Sequence, residues 1–208
     1  VALYQKAAAG GVHEASLALG RCYMDGKFGL EVDMARAAAN FADAVKADNA
    51  DAMFHLGLCP QKGLGVPKDE KKAVELFRRA HPHSRAAAVK YGMYLLFGQD
   101  IERRPEEGFR LVFEVVSQDD NYPEAIGATG FCYLNGLGVE KDDAAAFRFF
   151  TRAADLGVVT SATTLGYLYE NGIGVAKDTA RAVELYMSSN DGGDIIATHN
   201  LAVCFMNG

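Results

Sequence analysis

The chain has 208 residues, 50% of them apolar, no tryptophan, and a formal net charge of −6 at pH 7 with both signs mixed along its length. That balance argues against a nucleic-acid groove, which needs a basic stripe. No apolar run approaches the ~20 residues of a membrane-spanning helix, so direct membrane insertion is not expected either.

Two columns of glycine organise the sequence. The first reads Gly20, Gly57, Gly92, Gly130 and Gly166, with Ala202 in sixth place; the second reads Gly26, Gly63, Gly98, Gly136, Gly172 and Gly208. Both advance by 37, 35, 38, 36 and 36 residues. A period of this size predicts an all-α chain of stacked helical hairpins, each layer touching only its neighbours. Within a unit the second glycine ends the first helix, because it takes up left-handed backbone cheaply. A loop follows, as in Gly63-Leu64-Gly65-Val66, Gly136-Leu137-Gly138-Val139 and Gly172-Ile173-Gly174-Val175. Three residues after the valine stands an aspartate (Asp69, Asp142, Asp178), placed to accept the free N–H groups that open the second helix.

In chain order, residues 1–11 read as the tail of a preceding repeat, opening inside a second helix. The first repeat spans 12–48 and carries a loop one residue longer, Gly26 to Asp33. The second spans 49–84; Pro60 removes an intrahelical donor there and predicts a helix that bends or ends early. Its second helix runs into His81-Pro82-His83, a predicted break. The third repeat, 85–121, departs most. Asp100 takes a glycine position, Arg104 replaces the capping aspartate, and Gly108 replaces the helix alanine, while Pro105 suits a first helical turn. Its charged stretch 99–106 reads as a knob for a partner, as a bend between two halves of the stack, or as a tolerated loop substitution. Repeats 122–157 and 158–193 are regular, and 194–208 is the first helix of a sixth. The whole reads as one array and as a piece of a longer one, with open ends that leave end-to-end contacts possible.

These residues resemble the Sel1-like repeat, a relative of the tetratricopeptide repeat. Its pattern is Ala-x3-Leu-Gly-x2-Tyr-x2-Gly-x-Gly-Val-x2-Asp, then Lys/Arg-Ala and Ala-Ala. Residues 162–182 match it closely, 124–154 and 50–80 with single departures. The resemblance implies a right-handed α-solenoid of helix-turn-helix repeats, with first helices lining a concave side that takes partners.

With the first glycine at zero and 100° per residue, Ser161, Leu165, Tyr169 and Gly172 fall on one side and are expected to form the core of their repeat. Positions −6, −2, +1 and +5 fall opposite and are assigned to the concave groove. One column of that arc is mostly apolar: Leu58, Met93, Phe131, Tyr167 and Val203, joined by Phe97. His55, Lys90, Asn135 and Asn171 border it, together with Lys62, Thr164 and Asn200. The column is either a docking seam for an extended peptide or a helix, or packing between adjacent repeats.

Other constellations carry less. Cys22, Cys59, Cys132 and Cys204 share one column, two after the first glycine. Adjacent layers stand about 10 Å apart and a disulfide needs Cα atoms within roughly 7 Å, so these read as small buried residues. Some secreted relatives bridge two cysteines in each repeat; this chain lacks the second column. A reducing compartment such as the cytoplasm is favoured, with an organelle lumen left open. His81 and His83 read as exposed loop histidines, since no Cys or His pair with zinc spacing accompanies them. No metal, cofactor or catalytic residue is assigned: Gly-x-Ser-x-Gly, Ser-x-x-Lys and phosphate-loop motifs are absent. Glu106-Glu107 and Asp142-Asp143 sit at helix starts, where the helix dipole explains them. Asp119-Asp120 read as a solvated turn.

The expected function is therefore a non-enzymatic scaffold or adaptor holding a protein or peptide in the groove. A structural subunit of a large assembly, contacted on several faces, is the alternative. A weak hydrolase, which the resemblance also brings in, would have only the column cysteines as nucleophiles.

Overall fold

A computed structural model of the chain describes residues 1–98 and 100–207, with the backbone alone at Asn207. Gln99, from the charged stretch, and Gly208, from the second glycine column, lie outside the described residues. Among those described there are twelve α-helices and no strand. The first helices of the repeats are α2 (His13–Asp25), α4 (Ala50–Lys62), α6 (Arg85–Phe97), α8 (Pro123–Asn135), α10 (Val159–Asn171) and α12 (Ile195–Asn207). The second helices are α1 (Ala2–Ala9), α3 (Met34–Ala44, continued by a 3-10 turn over Val45–Ala47), α5 (Glu70–Ala80), α7 (Pro105–Gln118), α9 (Asp143–Asp155) and α11 (Thr179–Asp191). This is the helix-turn-helix architecture of an α-solenoid. The chain divides into two compact units, Val1–Arg103 and Arg104–Gly208, and the boundary falls inside the irregular third repeat.

In the first unit α2 packs on α3 and α4 on α5, while α3 packs on α4 and α5 on α6 to join the layers. The first glycine column explains the closeness of the hairpins. A Cβ on Gly20 would sit 2.5 Å from the Phe41 ring, and one on Gly57 2.6 Å from the Phe77 ring. Both rings are fully buried, a burial that contributes ~1.5–3 kcal/mol each. In the second unit Gly166 meets Tyr186 in the same way, at 2.7 Å. There Ala146 and Phe150 of α9 join Leu165 and Leu168 of α10 in a core walled by Tyr133, Phe147 and Tyr169. The expected core face is thus corrected at one end. Ser161 and Leu165 are buried and Tyr169 half-buried, but Gly172 is exposed, because it is the left-handed C-cap (φ 68°) where the chain leaves the helix.

Three of the loops lie against the second helix of the repeat before. Gly65 (φ 69°), Gly138 (φ 70°) and Gly174 (φ 68°) lie against the opening backbone of α3, α7 and α9 respectively. A Cβ there would stand 2.0–2.4 Å from main-chain atoms, so only glycine fits. The capping aspartates act as expected. Asp33, Asp69, Asp142 and Asp178 accept from the amides of Arg36, Lys72, Ala145 and Arg181 at 2.9, 3.0, 2.8 and 2.9 Å. The backbone N–H of the same four aspartates donates to the carbonyls of Tyr23, Pro60, Tyr133 and Tyr169.

The early end expected of Pro60 is not found. Helix α4 keeps the 13 residues of its counterparts and ends, like them, at a left-handed glycine, Gly63. The column contributes a carbonyl to the loop, which proline retains, and the ring is buried. The break after Ala80 is present, with His81 as the C-cap of α5. In the third repeat Asp100 adopts the left-handed backbone (φ 57°) of the glycine it replaces. Arg103 folds its Nε onto the Leu96 carbonyl at 2.9 Å, capping α6. Arg104 opens α7 with no side-chain cap, and Pro105 takes the first turn.

Candidate functional site

The arc opposite the hairpin core is built only by first helices, and no described side chain in it is buried. Each unit carries its own part. In the first, α2 contributes Glu14, Ala18, Arg21 and Asp25; α4 contributes Asp51, His55, Leu58 and Lys62; α6 contributes Ala86, Lys90, Met93 and Phe97. Leu58, Met93, His55 and Lys90 are half-buried, and Phe97 is 46% exposed. In the second, α8 contributes Phe131 (36% exposed) and Asn135, α10 contributes Thr164, Tyr167 (46% exposed) and Asn171, and α12 contributes Ile196, Asn200 and Val203. Val203 is half-buried. The side chain of Asn207, the last position of the arc, lies outside the described residues.

The local geometry repeats from helix to helix. Asn135 donates its amide to the Phe131 carbonyl and Asn171 to the Tyr167 carbonyl, both at 2.9 Å. Thr164 donates to the Thr160 carbonyl at 2.9 Å. Each bond spans one turn and ties the polar side chain back to its own helix. In the first unit the polar border is a network instead. Arg21 donates from Nε to His55 Nε2 at 3.2 Å, and its Nη2 lies 3.3 Å from Asp51 Oδ2. Arg21 and Asp51 fall in the arc drawn from the sequence, but the apolar column does not mark them as a pair. The available signal was opposite charge at positions +1 and −6 of adjacent repeats.

Chemistry elsewhere is quiet. Cys22, Cys59 and Cys132 are buried free thiols and Cys204 is half-buried. Burial raises the Cys59 thiol above its ordinary value and pushes Cys132 up to about 12, which keeps both protonated and poorly nucleophilic. Ser16 and Asp43 border a cavity of about 280 Å³, and His13 stands beside Asp43. Ser16 donates to Asp43 Oδ2 at 2.7 Å and His13 Nδ1 lies 3.4 Å from the same oxygen. The carboxylate therefore stands between serine and histidine, the wrong order for a relay that activates the serine. Among the described residues no cluster of three or more His, Cys, Asp or Glu side chains could hold a metal ion, and no helix is long and apolar enough to cross a membrane.

One sequence reading is corrected here and another extended. His81 is not an exposed loop residue: it is half-buried and stacks on Tyr91 with centroids 5.2 Å apart. Asp120 stands in an exposed turn as expected and also pairs with Arg152 of α9 at 3.1 Å. Asp48 pairs with Arg79 of α5 in the equivalent place in the first unit, also at 3.1 Å.

Comparison with known proteins agrees with this architecture. The Sel1 repeat model matches residues 1–12, 13–49, 50–80, 85–111, 123–158 and 161–194. A Sel1 repeat protein from Oxalobacter formigenes is similar in structure, with a TM-score of 0.79 and 27% identity over 91% of this chain and 74% of that one. A protective antigen of uropathogenic Escherichia coli that displays an SLR fold gives a TM-score of 0.73 at 27% identity; the match covers 95% of this chain and 42% of that one. An immunity protein from Pseudomonas aeruginosa shares the fold at a TM-score of 0.54 and 20% identity, over 75% of this chain and 57% of its own. Sel1 repeat proteins generally mediate protein–protein interactions and are typically non-enzymatic scaffolds. The chain belongs to the Sel1 repeat family.

Proposed function

We propose that this chain is a scaffold or adaptor that holds a protein or peptide against the arc of its first helices, the concave side of the solenoid. The observation that carries this reading is the pair Phe131 and Tyr167. These rings occupy one register of adjacent repeats in the second unit, and both stay more than a third exposed. The asparagine one turn on from each donates its amide to that residue's own carbonyl. An aromatic body with a positioned polar neighbour is the composition of interface anchors. Val203 belongs to the same surface of the second unit, and in the first unit Leu58, Met93 and Phe97, with His55 and Lys90, hold the arc positions of their own repeats.

A photo-cross-linking residue at Asn171, and another at Arg148 on the exposed side of α9, tests this in cell lysate. A partner captured from position 171 and not from 148, and lost by a Phe131→Glu/Tyr167→Glu variant that circular dichroism shows to be folded, supports the adaptor. Retention by the folded variant removes the arc from the reading. A variant that fails to fold assigns both rings to packing between repeats. Equal capture from both positions favours the second reading, a structural subunit contacted on several faces. That reading draws on apolar surface away from the seam: Ile195, Phe205 and Met206 on α12 are 82%, 67% and 77% exposed.

A further inference from the structure

His55 is a titratable group of the arc that packs against two rings. It stacks on Phe41 of α3 with centroids 5.1 Å apart and planes 16° apart, and Phe54 meets it edge-on at 5.4 Å. Its Nε2 accepts from the Arg21 guanidinium, so the ring is neutral and its proton sits on Nδ1, a buried atom with no hydrogen-bond partner. The same guanidinium reaches Asp51 on the turn below. One arginine of α2 is therefore held at two points by α4, and one of those points requires a lone pair that a proton would occupy.

We propose that Arg21, Asp51 and His55 form a proton-operated latch between the first two repeats: the neutral imidazole pins the Arg21 guanidinium against α4, and the imidazolium releases it. On protonation Nε2 becomes a donor facing a donor, and two cations stand at hydrogen-bonding distance, so the bond breaks and Arg21 turns to solvent. The arc of the first unit then gains a charge on His55 and a mobile charge on Arg21. This goes beyond the docking reading and stands without it, because it is a property of the unliganded chain.

The groups acting on the ring agree in direction. Desolvation, first, and the charge of Arg21 lower its affinity for a proton, while Asp51 on its own helix and Asp25 on α2 oppose them. The net effect is a histidine held below its ordinary 6.5. Phe41 of α3 brings no charge, and Lys90 of α6 occupies the same register one repeat on. The linkage follows: the unfolded chain takes up this proton near 6.5 and the folded chain only at lower pH. The stabilisation is therefore complete above 6.5 and is lost as pH falls through the folded midpoint.

The test is an NMR titration of the whole 208-residue chain. It follows the His55 ring, assigned through its own backbone amide, beside the Arg21 Nε–H. A latch makes both signals move with one midpoint, below 6.5. Arg21→Gln then raises the His55 midpoint and Asp51→Asn lowers it. An Arg21 signal that stays flat while His55 titrates overturns the proposal, as does a midpoint indifferent to Arg21→Gln. Should either variant fail to fold, the co-titration in the parent chain decides alone.

Discussion

The hydrogen atom that serves as the side chain of Gly57 lets the Phe77 ring close onto α4. Alanine at this position would gain up to about 1 kcal/mol of helix propensity, yet its Cβ would lie 2.6 Å from a ring that is fully buried. Overpacking of this kind costs about 1–3 kcal/mol, and the clash should win. Gly65→Ala should lose more, because its Cβ meets main-chain carbon at 2.3 Å and its φ of 69° is unfavourable to any side chain. Urea midpoints should therefore fall in the order parent, Gly57→Ala, Gly65→Ala; a midpoint for Gly57→Ala at or above the parent would show that the ring yields. The sequence displays both glycine columns, but it explains only the left-handed one locally. The reason for the other lies about 20 residues on, where Phe41, Phe77, Val112, Phe150 and Tyr186 recur on the second helices. Pro60 misleads for the opposite reason: the local rule is sound, and the tertiary role of its carbonyl overrides it.

Helix boundaries are the most legible elements, since each is marked by chemistry that acts within one turn. Left-handed glycines end five of the first helices, and an aspartate opens four of the second. Asp142→Ala removes one such cap from α9 and should cost about 1 kcal/mol, while Asp142→Asn should recover most of it. Chemical denaturation of the three proteins checks this, and equal losses for alanine and asparagine would mean that the charge, not the capping bond, is what matters. The third repeat shows how far local substitution can go without losing an element. Asp100 supplies the left-handed residue of the loop, the Arg103 side chain adds a bond to the Leu96 carbonyl beside the Gly98 cap of α6, and Pro105 presets the first turn of α7. A string of charges that reads as a candidate knob thus contains at least two side chains with structural duties. The first helices read poorly as amphipathic for a related reason. Helix α6 buries Ala87, Val89, Tyr91, Tyr94 and Leu96, residues from several sides, because neighbours cover more than one face.

The fold of the whole chain was legible because a repeat states the same contacts several times over. Contacts between particular side chains of neighbouring repeats were less so: the Asp48–Arg79 and Asp120–Arg152 pairs and the Arg21–His55–Asp51 set join residues about one period apart, where opposite charge at matching positions is a signal shared by many pairs that do not meet. The angular position of the arc could be drawn from the sequence, whereas the division of its residues between half-buried and exposed depends on neighbouring side chains. The coupling itself is short-ranged, carried by loop glycines set against the preceding second helix and by ion pairs too exposed to be worth more than ~1 kcal/mol. A stack of this kind behaves as a chain of nearest-neighbour interfaces, so damage at one interface should stay there. Gly174→Ala places a Cβ 2.0 Å from the Asp143 carbonyl oxygen and breaks the contact of the α10–α11 loop with α9. Hydrogen exchange should show lost protection across α9, α10 and α11, with α2 to α5 of the first unit unchanged. If protection instead falls evenly through both units, the 208 residues unfold as one cooperative body and the interfaces are stiffer than their contacts suggest.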